Sequence, residues 1–465
     1  YSKEYLFRNV TNSTLSFLGS KLYSSHVNSV LGFKNTFADK AIAKTLNKFK
    51  HIAAAGNVYL KLDELRLYTS INPAEQVEEI NTFTTPIKSS VKKTSNQPQL
   101  RFAGFSKDWN RTKLGDLVRI TTGKVNLNEA DENGKYNFYT CGIKVLKTNS
   151  YAFEGPAITI AGNGSIGFMQ LVDGKFNAYQ RTYVLQDFKA DRGFLFNVIN
   201  KPLDKKIKME SRVGVIPYIV LDMLTDLHFY LPEEREQQRI GSFFKDVDNK
   251  INSLQNALSK SKELKRTLIS KLLVVQNNSQ PELRFSGFNK YWKKGELDSI
   301  FDDFKIGRID NISRLSQEKT EEFRYPVYSS KTSNNGICGY FDTYSFENSI
   351  TWTTDGEYAG DVKYREGKFQ ASIHCGIMIS SRGYSCVSIA EMLNKIVYRH
   401  ATRANIPRVS MGTLKQIVIS YPEEIEELQK LNCLFTDINN LISTYEVTLE
   451  NHKKLKQALV QRMFV

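Results

Sequence analysis

The pattern that organises this chain is LRFAGFSKDW at residues 100–109, which returns as LRFSGFNKYW at residues 283–292. Further short matches follow in the same order in both halves of the chain. They pair GKF at 174–176 with GKF at 367–369, Ile216-Pro217 with Ile406-Pro407, and LPEE at 231–234 with YPEE at 421–424. Chance explains any one match but not the same order twice, so the chain carries two copies of one module.

Each copy ends in a segment whose apolar residues recur at alternating steps of three and four, which predicts a long helix with a coiled-coil seam. The opposite faces are basic, as is typical of solvated helix faces. We expect Pro232 and Pro422, each with its following Glu-Glu pair, to lie in the first turn, where a proline forfeits no backbone hydrogen bond. The expected seam residues are Ile240, Phe244, Val247, Ile251, Leu254, Leu258, Leu264, Leu268 and Leu272, then Phe435, Ile438, Ile442, Tyr445, Leu449, Leu455, Leu459 and Met463.

The bodies of the two copies combine short alternating strands, Asn-Gly and Asp-Gly turns, and helical segments such as 389–397. The predicted fold class is therefore mixed α/β, with two repeated modules separated by two long antiparallel coiled-coil helices. The predicted boundaries are an N-terminal extension at 1–95, modules at 96–231 and 281–421, a central helix at 232–275 and a C-terminal helix at 422–465.

The composition favours a polyanionic partner. Lys and Arg number 64 against 49 Asp and Glu, which gives a net charge of +15 over 465 residues. Nucleic acid is the first candidate and an anionic membrane surface the second. Because no apolar run approaches the ~18 residues of a membrane span, we expect no membrane partner. The five cysteines are scattered, never as CxxC, so we expect neither disulfides nor a thiolate metal site, and a cytoplasmic location.

No catalytic or metal-binding motif stands out. The six histidines never occur at HxxxH or HExxH spacing, and a phosphate-binding GxxxxGK[ST] loop is absent. Gly162–Gly167 does match GxGxxG, but a dinucleotide site needs a helix to begin there. The residues that follow alternate and then turn at Asp173-Gly174 as in a β-hairpin, so we interpret the motif as a Gly-rich turn between strands.

Two variable modules that open with LRFxGFxxxW and close with a Pro-Glu-Glu helix resemble the specificity subunits of type I restriction-modification systems. The resemblance covers about residues 95–465 and is strongest in the duplicated openings, in EEREQQRI at 233–240 with Phe243-Phe244, and in the paired helices. The second copy departs from the glutamine-rich form, since it has Glu426-Glu427-Leu428 with one inserted residue.

The resemblance implies a non-catalytic subunit with two target recognition domains, each of which binds half of a bipartite duplex DNA target. It implies that the long helices pack antiparallel and set the spacing between the half-sites. It further implies two modification subunits that use S-adenosylmethionine to methylate adenine, and restriction subunits that use ATP and Mg to move and cleave DNA. No cofactor is expected on this chain.

Direct recognition of bases needs polar side chains at exposed turns, with Arg suited to guanine and Asn or Gln to adenine. We therefore selected polar turn residues near strand ends at corresponding places of the repeat. In the first module the candidates are Lys124, Asn163, Ser165, Tyr179, Gln180 and Arg181. In the second module they are Arg308, Lys331, Thr332, Asn334, Asp355, Tyr358 and Arg403.

Three alternatives remain open at this stage. Residues 1–95 are the tail of a truncated third module, since Leu65 to Pro73 repeats the spacing of Leu224 to Pro232, or an unrelated extension, or a segment of a partner numbered into this chain. The chain as a whole could instead be a nucleotide-using or DNA-modifying enzyme built around Gly162–Gly167. It could also be a basic coiled-coil scaffold protein, without sequence-specific DNA binding, that docks on membranes or assembles complexes.

Overall fold

The computed structural model describes residues 84–86, 96–210, 218–275, 280–309, 312–330, 333–402 and 406–465. Within them the chain divides into two compact units, the first made of the described residues up to 254 with 447–465, and the second made of those in 255–446. Almost all of the N-terminal extension, including the segment considered as a truncated third module, lies outside the described residues.

The first unit contains the first module, whose strands form small sheets. Two four-stranded sheets have the orders β6-β5-β10-β7 and β4-β11-β8-β9, and two pairs join β1 to β2 and β3 to β12. The strands are β1 (Thr84–Pro86), β2 (Leu100–Phe102), β3 (Asn110–Lys113), β4 (Arg119–Thr122), β5 (Tyr136–Tyr139), β6 (Leu146–Thr148), β7 (Phe153–Glu154), β8 (Ala157–Ala161), β9 (Met169–Val172), β10 (Lys175–Ala178), β11 (Thr182–Gln186) and β12 (His228–Leu231).

Four short helices complete the first module: α1 (Leu114–Leu117), α2 (Arg192–Val198), α3 (Asn200–Glu210) and α4 (Leu221–Thr225). The core of the unit includes Trp109, Ile158, Leu185 and Phe194, all fully or almost fully buried. The strand Thr182–Gln186 contains the predicted strand at 183–185, and four of its five residues are buried, as an apolar central strand requires.

The second unit contains the second module, which has one larger sheet of order β14-β19-β17-β18-β15-β16 and the pair β13-β20. Its strands are β13 (Lys293–Glu296), β14 (Asp303–Ile306), β15 (Tyr325–Tyr328), β16 (Ile337–Phe341), β17 (Phe346–Thr353), β18 (Val362–Ala371), β19 (Cys375–Ile379) and β20 (Val418–Tyr421). The predicted strand at 350–353 lies within β17. The second module has a single larger sheet because β17 and β18 are each continuous. The corresponding stretches of the first module are each divided into two strands, β7 and β8 in one case and β9 and β10 in the other.

Helix α6 (Leu297–Ile300) precedes β14 in this module, and α7 (Val387–Leu393) and α8 (Met411–Lys415) follow the sheet. The helical prediction at 389–397 was too long, because α7 ends at Leu393 and only a 3-10 turn at Val397–His400 follows. The Gly-rich turn was predicted correctly, since 162–168 connects β8 to β9, which pair as an antiparallel hairpin. The hairpin turn at Asp173-Gly174 was wrong: β9 and β10 belong to different sheets, so the chain passes there from one sheet to the other.

Two helices of 39 residues each, α5 (Glu234–Leu272) and α9 (Ile425–Met463), follow the two modules. Most of the expected seam residues are buried, among them Phe244, Leu268, Phe435 and Met463, whereas Val247, Leu258, Ile442 and Leu455 are half-buried. The placement of the prolines in the first turn was wrong. The carbonyls of Glu233 and Glu424 accept the first helical hydrogen bonds, so each proline lies just before its helix.

The repeated opening LRFxGFxxxW has a structural role in both modules. Its arginine makes a two-pronged ion pair with a glutamate in the first turn of the following long helix. In the first unit both Arg101–Glu236 distances are 2.7 Å, and in the second the Arg284–Glu427 distances are 2.8 and 2.7 Å. Because Glu236 and Glu427 are buried, these pairs fasten each module to the start of its helix.

Candidate nucleic-acid interface

The six candidates of the first module lie on three backbone segments that hydrogen bonds hold together at one end of the sheet. Gly123 N donates to Thr182 O at 3.1 Å, and Gln180 N donates to Val125 O at 3.1 Å, so the segment of Lys124 lies beside the turn at 179–182. Gly162 N donates to Arg181 O at 2.9 Å, which brings in the turn at 162–168. We call this arrangement of 123–125, 162–168 and 179–182 the three-segment frame.

A fourth segment, which sequence reasoning did not select, supports the frame from the loop after β5. Ser165 N donates to Cys141 O at 2.9 Å, and Cys141 Sγ lies 3.1 Å from Arg181 O. The Cys141 thiol is buried, so it acts here as a packing and hydrogen-bonding group between the two turns. This contact fixes the distance between the turns of Ser165 and Arg181.

The second module builds the same frame from different residues. Gly307 N donates to Cys375 O at 2.8 Å, Thr354 N donates to His374 O at 3.1 Å, and Cys375 N donates to Ser372 O at 3.0 Å. The first two bonds match Gly123–Thr182 and Gly162–Arg181 of the first module, and the third matches the bond that Thr182 N donates to Tyr179 O at 2.7 Å. The frame therefore consists of 307–308, 354–361 and 372–375, and it contains Arg308, Asp355 and Tyr358.

The comparison of hydrogen bonds identifies three residues that the sequence selection missed. Ser372, Ile373 and His374 occupy the turn that corresponds to Tyr179, Gln180 and Arg181 in the first module. The sequence contained the means to find them, because the GKF match at 174–176 and 367–369 continues at constant spacing to these residues. Ile373 lacks a polar side chain, which is why a selection for polar turns passed over it.

Two glycines make the frame possible. A Cβ atom on Gly123 would lie 1.9 Å from the carbonyl oxygen of Ala178, and one on Gly307 would lie 2.4 Å from that of Ala371. Both distances are far inside van der Waals contact, so only glycine lets the first strand come this close to the turn. In both modules the next residue is an exposed cation, Lys124 or Arg308.

The side chains on the frame differ in how free they are to meet a ligand. Lys124, Gln180 and Arg181 are exposed, and Asn163, Ser165 and Tyr179 are half-buried. In the second module Arg308 and Tyr358 are exposed, whereas Asp355 Oδ1 lies 2.7 Å from His374 Nδ1. The Asp355 carboxylate thus holds the His374 ring in place and keeps a second oxygen that Thr354 approaches at 3.2 Å.

The remaining candidates of the second module are not part of this frame or lie outside the described residues. Asn334 is exposed in a turn next to β16, with Asn335 beside it, and both have a left-handed backbone. Lys331, Thr332 and Arg403 fall outside the described residues. Among the described residues no group of acidic, histidine and cysteine side chains could hold a metal ion, and no helix is long and apolar enough to cross a membrane.

Comparison with known proteins decides the family. Residues 106–265 and 289–459 both match the family described as "Type I restriction modification DNA specificity domain". The chain belongs to this family. Each match takes in the body of one module together with most of the helix that follows it. Each module is therefore one specificity domain, and each domain contains one frame.

Several relatives of the specificity family resemble this chain over long stretches. The "Type I restriction enzyme EcoDI specificity subunit" of Escherichia coli is 25% identical over 395 residues, which cover 77% of this chain and 88% of the relative. The "Putative type I specificity subunit S.MpnORF507P" of Mycoplasma pneumoniae is 32% identical over 162 residues, 32% of this chain and 43% of the relative. A solved type I restriction-modification S subunit from M. genitalium has the same fold, with a TM-score of 0.65 at 17% identity over 79% of this chain and 99% of that one.

Proposed function

We propose that each specificity domain binds one half of a bipartite duplex DNA target through its three-segment frame, and that the two frames read different bases. One observation carries the proposal: three backbone hydrogen bonds of the two frames match, whereas the side chains at equivalent places differ. Lys124 corresponds to Arg308, Asn163 to Asp355, Gln180 to Ile373 and Arg181 to His374. A fixed backbone with exchangeable side chains is what recognition of two unrelated half-sites requires.

The chemistry of the exchanged side chains suits contacts in the major groove. Gln180 can pair with both major-groove groups of adenine, and an Arg or Lys such as Arg181 can pair with guanine. In the second module the exposed side chain of Ile373 suits the methyl group of thymine, and the Asp355 carboxylate can accept a hydrogen bond from cytosine. The two domains therefore present different donor and acceptor patterns.

We assign the chemistry of methylation and cleavage to partner subunits in the cytoplasm, two modification subunits and the restriction subunits. On this proposal S-adenosylmethionine, ATP and Mg bind to those partners, and this chain contributes DNA recognition without catalysis. The enzyme alternative built around Gly162–Gly167 loses its basis, because the strand Met169–Val172 and not a helix follows that turn. Without a helix N-terminus the turn lacks the dipole that holds a pyrophosphate.

We further propose that the two long helices pack antiparallel and act as a spacer between the half-sites. Within the first unit, Phe244 stacks on Phe464 at 5.5 Å and Asp248 pairs with Lys456 at 2.5 Å, so residue numbers rise along one helix as they fall along the other. Within the second unit, Lys262 pairs with Glu446 at 2.6 Å. Inserting seven residues after Leu258 and seven opposite them would keep the seam in phase and add roughly 10 Å.

The proposal is tested by mapping methylated adenines in cells that express this chain with its modification subunits. Gln180→Ala is expected to relax one position of one half-site, at about 1–3 kcal/mol, and to leave the other half-site unchanged. Ile373→Ala is the reciprocal control and should affect only the other half-site. If both changes altered the same half-site, or neither altered the motif, recognition through the two frames would be excluded.

The scaffold alternative predicts a different result in the binding assay. Purified complex should prefer the mapped duplex over an unrelated duplex of equal length, and that preference should survive moderate salt, because base contacts release few counterions. A basic scaffold would bind both duplexes equally and lose both together as salt rises.

A further inference from the structure

Apart from the frames, one cluster of exposed side chains occurs in both modules. In the first module Tyr136 and Tyr151 pack with their ring centroids 4.9 Å apart. Lys135 Nζ lies 5.4 Å from the centre of the Tyr136 ring, and Lys175 Nζ lies 4.6 Å from that of Tyr151. Two rings thus lie between two cations, an arrangement that we call the tyrosine–cation cluster.

The second module repeats the cluster with nearly the same geometry. Tyr325 and Tyr344 have centroids 5.0 Å apart, with Arg324 5.1 Å from the Tyr325 ring and Lys368 Nζ 4.4 Å from the Tyr344 ring. The order along the chain is the same as in the first module. Only one of the four members changes type, from Lys135 to Arg324, and the charge is kept.

Packing of the core does not explain this repetition. Tyr151 and Tyr344 are 45% and 41% exposed, and the cations of both clusters are exposed as well. The hydrogen bond that each ammonium donates to its tyrosine oxygen, Tyr151 or Tyr344, is the largest cause that raises the pKa of Lys175 and of Lys368. Glu154 is the carboxylate that acts on Lys175 and Glu347 the one that acts on Lys368, against two cations in each cluster.

A surface whose rings and charges are kept in two domains with different targets must meet something common to both. Strands β10 and β18 and the residues directly after them connect each tyrosine–cation cluster to the frame of its module. From Lys175 to Tyr179, and from Lys368 to Ser372, the chain advances four residues, which is about 13 Å in a strand. A duplex bound at the frame carries its nearest phosphates within this range, and the sugar-phosphate backbone is the part of DNA that does not depend on sequence.

We infer that the two tyrosine–cation clusters bind phosphate groups of the DNA backbone, one cluster beside each half-site. The ammonium or guanidinium groups supply charge, and the tyrosine hydroxyls supply hydrogen bonds to phosphate oxygens. The stacked rings hold the cations in place, so less side-chain entropy is lost on binding. This inference rests on the proposed DNA binding by the frames, and it assigns affinity and orientation to the clusters, not sequence preference.

The test compares Lys175→Gln, Lys368→Gln and the double variant with wild type, each in complex with the modification subunits. Binding to the mapped duplex and to an unrelated duplex is measured between 50 and 200 mM salt, a range over which phosphate contacts dominate (roughly 0.9 in the salt slope for each contact). Arg111→Gln on β3 and Lys294→Gln on β13 are matched controls, because they are exposed cations at corresponding places on other sheets.

Each single variant is expected to weaken binding to both duplexes by the same factor, roughly tenfold at 0.1 M salt, and to lower the salt slope by about one. The double variant should lower the slope by about two while the methylated motif stays the same, and the controls should change neither. Tyr151→Phe, which keeps the ring, should have a smaller effect in the same direction.

Other outcomes overturn the inference. An unchanged salt slope with lost association of the modification subunits would make the clusters a protein-binding surface, and a changed motif would make them base-reading residues. An unchanged slope with intact assembly would leave them a packing feature. If wild type showed no preference for any target, the proposed function would fail, yet the slope on the unrelated duplex would still decide the role of the clusters.

Discussion

The two modules share a set of backbone hydrogen bonds and differ in the side chains that these bonds position. The frames, the opening ion pairs and the tyrosine–cation clusters have matching contacts, although the sheets around them differ: two four-stranded sheets in the first module and one six-stranded sheet in the second. The matching parts are those that any DNA target and any long helix would need. The difference supports our proposal that specificity lies in the side chains positioned by a shared set of backbone hydrogen bonds.

One buried residue shows how far the second module has diverged beneath its surface. Arg365 is only 5% exposed, and it corresponds to the buried Val172 of the first module. Its Nη1 donates to Asn335 O at 2.7 Å, its Nε donates to Thr351 Oγ1 at 3.0 Å, and it lies 3.8 Å from the Tyr328 ring. Arg365 thus supports the left-handed turn of Asn334 and Asn335. The first module has Val172 at the place of this arginine.

The largest expected effect tests the claim that the opening ion pairs are equivalent. Glu236→Ala should destabilise its module by about 3–5 kcal/mol, because it leaves the buried Arg101 without its partner, and Glu427→Ala should cost somewhat less, because Arg284 is half-buried. Urea unfolding of the full chain, followed by circular dichroism, measures the loss. Replacing both members of the first pair, Arg101→Met with Glu236→Met, should recover most of the stability, and a double variant as unstable as Glu236→Ala would contradict this account.

A somewhat smaller effect on stability is expected from an aspartate that is buried in one long helix and exposed in the other. Burial raises the pKa of Asp437 from 3.8 to about 6, whereas Asp246 at the equivalent place of α5 is exposed. Because the folded state favours the protonated Asp437, stability falls as pH rises from about 4, near the unfolded pKa, to about 6, the folded pKa; the loss is at most roughly 3 kcal/mol at 1.36 kcal/mol for each pKa unit, and smaller because the carboxylate is partly exposed.

Asp437→Asn should therefore stabilise the chain at pH 7 and have little effect at pH 4, where the aspartate is already neutral. Urea midpoints at the two pH values give the measurement. Asp246→Asn is the control and should change neither midpoint appreciably, since an exposed carboxylate loses little hydration on folding. Equal stabilisation by Asp437→Asn at both pH values would mean that its charge is not the cause.

The smallest expected effect concerns the tryptophans that close the repeated openings. Trp292 Nε1 donates to Glu427 Oε2 at 3.0 Å, whereas the buried Trp109 Nε1 has no hydrogen-bond partner among the residues that the structure describes. Trp292→Phe should therefore cost more stability than Trp109→Phe, by about 1.5–3 kcal/mol for a hydrogen bond to a charged group. Circular dichroism on both variants gives the difference, and equal costs would show that the two openings are energetically alike.

The sequence predicted the features that repeat or are periodic. The duplicated opening, the two apolar seams and the Gly-rich turn at 162–168 could all be recognised, because repetition and helical period are visible in one dimension. The helix starts were wrong by two and three residues, since proline statistics do not say which carbonyl accepts the first hydrogen bond. The Asp173-Gly174 turn was misjudged because local turn chemistry is the same for a hairpin and for a change of sheet.

What the sequence by itself determined is the two-module plan and the positive net charge, which follow from residue type and spacing, and a resemblance to the specificity family. What only the tertiary structure decided is which residues meet: the approach of Gln180 to Val125, the support of Ser165 by Cys141, and the pairing of Arg101 with Glu236. These contacts join residues far apart in the chain through backbone hydrogen bonds and buried charges. Neither leaves a period or a motif, because their partners are set by how the strands and helices pack.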